Sequence, residues 1–203
     1  MTTLVVETPH GPARVHLHDV DAPLAALVLG HGAGGGVGAP DLVAVRDVAL
    51  DEEWLVALVE QPYRVAGRRS PAPAAQLDAA WTAVLDHLRG DQLAGLTVVT
   101  GGRSSGARVA CRTAEATGAA GVLCLAFPLH PPGRPESTRL PELQAVRVPV
   151  LVIQGSGDQF GMPPAGRRRK VVQVRGNHSL RTDPAAVGDA ARSWLRRVAG
   201  AAR

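Results

Sequence analysis

Apolar positions along the chain follow two spacings. Runs that are wholly or mainly apolar fill residues 24–29, 54–59, 96–100, 121–127 and 148–154, the length expected of strands covered on both faces. Elsewhere apolar residues recur every three or four positions: Leu42, Val45 and Ala49 within 40–50, and Leu77, Trp81, Val84, Leu85 and Leu88 within 73–89, ahead of Gly90. Val187, Ala191, Trp194, Leu195 and Val198 form a third such stripe, opened by Asp183-Pro184. These spacings predict amphipathic helices with recognisable starts and stops. A helix over 105–117 closed by Gly118 and a strand over 169–174 complete the series. Two shorter strands, 4–7 and 13–18, flank Thr8-Pro9-His10-Gly11-Pro12 and read as an antiparallel hairpin. The alternation of strand and helix predicts an α/β fold: a mainly parallel twisted sheet of about eight strands with an antiparallel N-terminal hairpin, flanked by helices on both faces. Residues 61–71 and 128–147 are predicted loops, and the second is too short for a lid domain.

Composition adds limits. A length of 203 residues suits one domain, spanning 1–203. Aromatics are only 3% of the chain, so alanine, valine and leucine must build the core. The net charge of +4 is carried almost wholly by arginine, Lys170 being the one lysine. The run Arg167-Arg168-Arg169-Lys170 has no interleaved aromatics and reads as a solvated loop entering a strand, so no nucleic-acid partner is expected. The first seven residues lack the features of a signal peptide and no apolar run approaches bilayer length, which gives the expectation of a soluble, cytoplasmic protein without a membrane partner. Cys111 and Cys124 lie in apolar segments and are expected as reduced core thiols.

The chemistry centres on the stretch from Val98 to Ala110. There an apolar run meets Gly101-Gly102-Arg103-Ser104-Ser105-Gly106 and then a small-residue helix. A serine at the apex of so tight a turn needs glycine two residues to either side, because side chains there collide. Ser104 meets that condition; Ser105, flanked by Arg103 and Ala107, does not. Ser104 is therefore the candidate nucleophile.

The glycine-rich loop Gly30-His31-Gly32-Ala33-Gly34-Gly35-Gly36 admits two readings. Gly30, Gly32 and Gly35 fit G-x-G-x-x-G, with Glu60 at the end of the next strand as a ribose-binding acid, which describes a dinucleotide site. Alternatively, His31-Gly32-Ala33 is an oxyanion loop whose backbone N–H faces a developing alkoxide. The hairpin that precedes the loop and its run of three further glycines favour the second. His16 and His18 share a strand face, but no third ligand stands at a supporting spacing, and no metal site is assigned.

Ligands of a doubly wound sheet sit beyond the carboxyl ends of its strands. His31-Gly32-Ala33, Ser104, Asp158 and His178 each follow a predicted strand and so collect along one edge. The chemistry then assigns His178 as the base that activates Ser104, and Asp158 as the acid that orients His178. Backbone N–H groups of Ala33 and Ser105 are the candidate oxyanion donors. Substrate-facing candidates are His31, Gly32, Arg103, Tyr63 in the 61–71 loop, and His130 in the 128–133 loop.

The segments Gly101 to Arg108, Phe127-Pro128-Leu129-His130-Pro131-Pro132-Gly133 and Val150 to Gly161 resemble the α/β-hydrolase superfamily. The closer resemblance is to its small lidless branch related to dienelactone hydrolases, including predicted hydrolases akin to a subunit of a histone-acetylating chromatin complex. That resemblance implies the α/β-hydrolase fold, the triad Ser104, Asp158 and His178, and hydrolysis. Dienelactone hydrolases proper carry a cysteine nucleophile, and the serine here departs from that pattern. The expected activity is hydrolysis of a small-molecule carboxylic ester or thioester through an acyl-enzyme, without metal or organic cofactor. A catalytically silent scaffold and a dinucleotide-binding protein are the competing readings.

Overall fold

In the computed structural model, which describes residues 1–201, the chain threads eight strands through one sheet. These are β1 (Thr2–Val6), β2 (Ala13–His18), β3 (Ala25–Gly30), β4 (Trp54–Glu60), β5 (Val98–Arg103), β6 (Gly121–Leu125), β7 (Val150–Gly155) and β8 (Arg169–Val174). The order across the sheet is β1-β2-β4-β3-β5-β6-β7-β8. β1 and β2 pair antiparallel, as does β2 with β4, and every other pair is parallel. The predicted architecture is thus the observed one.

Six helices connect the strands: α1 (Pro40–Asp51), α2 (Pro62–Val65), α3 (Ala74–Arg89), α4 (Ser105–Thr113), α5 (Leu140–Gln144) and α6 (Pro184–Ala201). Successive residues of β3 divide between the two faces. Ala25, Leu27 and Leu29 pack with Leu42, Val45 and Ala49 of α1 and Val187, Ala191, Trp194 and Leu195 of α6. Ala26 and Val28 pack with Leu77, Trp81, Val84 and Leu88 of α3. Both faces being covered, β3, β6 and β7 are buried at every position, which explains their unbroken apolar runs. Cys111 and Cys124 are free, buried thiols with sulfurs 3.5 Å apart.

Four expectations need adjustment. The strand expected at 96–100 runs instead over Val98–Arg103, because neighbours on both sides pair with Thr100, Gly101 and Gly102. The helix after Ser104 is regular only to Thr113, and its continuation to Gly118 is a looser turn in which Thr117 Oγ1 donates to the Thr113 carbonyl at 2.9 Å. The loop 61–71 holds α2, with Pro62 at its first turn. The segment 128–147 holds α5, which buries Leu143 against the α4 side; a five-residue helix is too small to cover the strand ends as a lid. No helix among the described residues is long and apolar enough to cross a membrane.

Candidate active site

Ser104 stands between β5 and α4 with φ 52° and ψ −104°, a conformation that costs an L-residue roughly 1–3 kcal/mol and is held by its surroundings. Its flanking glycines are sterically required. A Cβ on Gly102 or on Gly106 would fall on the Gly30 carbonyl oxygen. The elbow and the β3 loop therefore touch backbone to backbone.

His178 follows β8 and places Nε2 2.9 Å from Ser104 Oγ, while its Nδ1 lies 2.8 Å from Asp158 Oδ2. With Asp158 ionised, Nδ1 carries the proton and donates to it, leaving Nε2 to accept from the serine hydroxyl. The Asp158 side chain is 1% exposed. Its charge is held by hydrogen bonds: the Phe160 N–H donates to Oδ1 at 2.9 Å, and Oδ2 receives both His178 and the Gln154 amide. The Phe160 ring meets the His178 imidazole edge-on, centroids 4.5 Å apart. The three residues that the sequence places after strand ends are thus brought together.

The loop after β3 is tied by His31 and Tyr63, both of them buried. His31 is 2% exposed. The Gln61 N–H donates to its Nε2 at 3.1 Å, so Nδ1 bears the proton and donates to the Gly32 carbonyl at 2.8 Å. Burial holds the imidazole below its ordinary pKa, keeping it neutral. Tyr63, expected at an entrance or on a solvated loop, is buried, and its hydroxyl donates to the Ala33 carbonyl at 2.9 Å. Burial pushes its phenol up to about 12. Because the Gly32 carbonyl points at His31, the trans peptide turns the Ala33 N–H the opposite way. Neither that N–H nor the Ser105 N–H, at the positive end of α4, donates to a protein acceptor among the described residues.

Arg103 is likewise turned inward. Its Nε lies 3.0 Å from Asp41 Oδ2, and its Nη2 donates to the His178 carbonyl at 3.0 Å. The guanidinium ties α1 and the base loop to the nucleophile, with Gly32 alongside: a Cβ on Gly32 would come 2.7 Å from Arg103 Nη1. Asp41 is wholly buried, which pushes its carboxyl up, opposed by the arginine. His130 does not enter the triad; its Nδ1 contacts the Ser137 carbonyl at 2.7 Å and its N–H donates to the Phe160 carbonyl at 2.9 Å, bracing the acid loop.

The dinucleotide reading loses its parts. Glu60 is ion-paired to Arg14 at 3.0 Å and hydrogen-bonded to His16 Nε2 at 3.1 Å, so the acid is engaged by the hairpin, and His16 with it. A Cβ on Gly34, Gly35 or Gly36 would meet nothing within 4 Å among the described residues, so these glycines pack against no helix, and α1 begins only at Pro40. Sequence reasoning missed Asp41, Gln61, Phe160 and Gln154. Only Gln154 left a signal, as an amide ending the apolar run Val150-Leu151-Val152-Ile153.

Comparison with known proteins gives the family and the fold. The family described as "Alpha/beta hydrolase domain" matches residues 23–197. No curated protein sequence is a significant match. Among solved structures, an α/β serine hydrolase without lid from Xanthomonas campestris superposes with a TM-score of 0.79 at 20% identity, over 97% of this chain and 94% of its own. Est1E from Butyrivibrio proteoclasticus gives 0.80 at 13%, over 98% and 100%. A dienelactone hydrolase from Anabaena variabilis gives 0.75 at 16%, over 97% and 96%.

Proposed function

The chain belongs to the alpha/beta hydrolase domain family, and on that premise we propose that it is a serine hydrolase cleaving a carboxylic ester or thioester through an acyl-enzyme on Ser104. The observation that carries the reading is the unbroken chain of contacts from Ser104 Oγ to His178 Nε2 at 2.9 Å and from His178 Nδ1 to Asp158 Oδ2 at 2.8 Å.

In the first step Ser104 Oγ attacks the substrate carbonyl carbon as its proton passes to His178 Nε2. The negative charge moves to the carbonyl oxygen, where the N–H groups of Ala33 and Ser105 receive it; one such donor is worth roughly 10²–10³ in rate. Asp158 stabilises the imidazolium without taking its proton. Collapse of the tetrahedral species breaks the bond to the alcohol or thiol, which leaves with the proton from Nε2. Water then attacks the acyl-enzyme, giving its proton to His178, and Ser104 leaves with that proton as the acid departs. No cofactor enters these steps.

The fold shared with Est1E and with a dienelactone hydrolase, and the short β6–β7 connection, support a small ester at an open site. The test is turnover of a panel of p-nitrophenyl esters and acyl thioesters by the wild-type protein and S104A. Hydrolysis lost in S104A supports the reading, whereas a folded protein inert on the whole panel favours a silent scaffold.

A further inference from the structure

Gln154 closes β7 and is wholly buried, although its neighbours in the strand are apolar and an amide there must be satisfied. Three acceptors lie within hydrogen-bond distance of its nitrogen, which has two protons to share among them: Asp158 Oδ2, charged and nearest at 2.8 Å, the Gly161 carbonyl at 2.9 Å and the Phe127 carbonyl at 3.0 Å. That convergence settles the amide's orientation, since an oxygen in the same place would face three acceptors. Its own oxygen has no partner among the described residues, so the contacts that the side chain makes are those of its nitrogen.

We propose that Gln154 is a positioning residue for the hydrolytic site, holding the Asp158 carboxylate turned toward His178. The inference rests on the reading of Ser104, His178 and Asp158 as the reacting machinery. The oxygen that Gln154 holds is the one that receives His178 Nδ1. Two donors at Oδ2 and the Phe160 N–H at Oδ1 leave the carboxylate little freedom to rotate. The Phe127 and Gly161 carbonyls, at the β6 exit and in the loop after β7, share the amide's other proton and hold the nitrogen between them.

The test is the rate of fluorophosphonate labelling of Ser104 as a function of pH, in the wild-type protein, Q154M and V152A. Met keeps the length of Gln without a donor; V152A lies on the same strand and reports simple loss of packing. Q154M is expected to label about ten-fold more slowly or worse, with the acid limb of its pH profile displaced, while V152A keeps the wild-type profile. Q154M with wild-type rate and profile, or V152A reproducing the whole effect, overturns the inference. Should the wild-type protein not label, the hydrolase reading itself fails. The inference is then decided by the NMR signal of the His178 Nδ1 proton, assigned with H178A: displaced in Q154M it stands, unchanged it falls.

Discussion

The Gly106 N–H donates to the His31 carbonyl at 3.1 Å, and at that contact the nucleophile helix and the oxyanion loop become one unit. A Cβ on Gly106 would sit 2.9 Å from the same oxygen and closer still to the Gly30 carbonyl. Both obstacles are backbone, which cannot swing aside. Gly106→Ala is therefore expected to destabilise by about 3 kcal/mol, the upper end of overpacking costs. Gly34→Ala, with nothing near its Cβ position, should stay within about 0.5 kcal/mol of wild type. Urea denaturation of both variants checks the contrast.

Arg103 and Asp41 should prove strongly coupled. Arg103→Met strands a carboxylate that is 0% exposed, for which the expected cost is about 3–5 kcal/mol, because the remaining charge has neither water nor a cation. Burial already pushes the Asp41 carboxyl up, so the loss should shrink as pH falls and the acid protonates. Asp41→Leu combined with Arg103→Met should recover much of the loss. A double-mutant cycle in denaturant reads the coupling, and simple additivity would contradict it.

How far the sequence could be read depended on whether the information was local. The β8 bounds, the inward stripe of α6 and the order Ser104, Asp158, His178 were all legible, because periodicity and strand-end placement are properties of short stretches. The Asp41 to Arg103 pair was not, since an acid after Pro40 looks like any first-turn acid until β5 is laid beside it. Tyr63 was misplaced for the same reason: a tyrosine in a Pro- and Arg-rich loop reads as solvated, and its burial comes from segments distant in sequence, the cluster of Val6, Ala13 and Leu77 and the β3 loop that takes its hydroxyl. β5 was read short because Gly101 and Gly102 have no strand propensity; they belong to the strand because a Cβ at either would strike backbone of a neighbouring segment.

His31 makes stability depend on pH. Its folded pKa lies below the ordinary 6.5, so the unfolded chain binds the proton more readily. The His31 contribution is complete above about pH 6.5 and is lost as pH falls toward the lower folded value. His31→Gln should remove this part of the acid sensitivity: the wild-type minus variant difference in Tm is expected to narrow on acidification. A difference independent of pH would contradict the assignment.

Tyr63→Phe removes the hydroxyl that holds the Ala33 carbonyl. The expected cost is about 1 kcal/mol. The phenol is raised to about 12 from an ordinary value near 10, so its contribution persists below about pH 10 and is lost as pH rises through 12. Thermal melts in alkali should therefore bring wild type and Y63F together.

The central claim, that Ser104 is activated by His178, is tested most directly by treating the purified protein with a fluorophosphonate probe and locating the adduct by mass spectrometry. The account predicts one adduct per chain, on Ser104, absent in S104A and strongly reduced in H178A. A folded wild-type protein that takes up no probe, or takes it up equally in S104A, would contradict it.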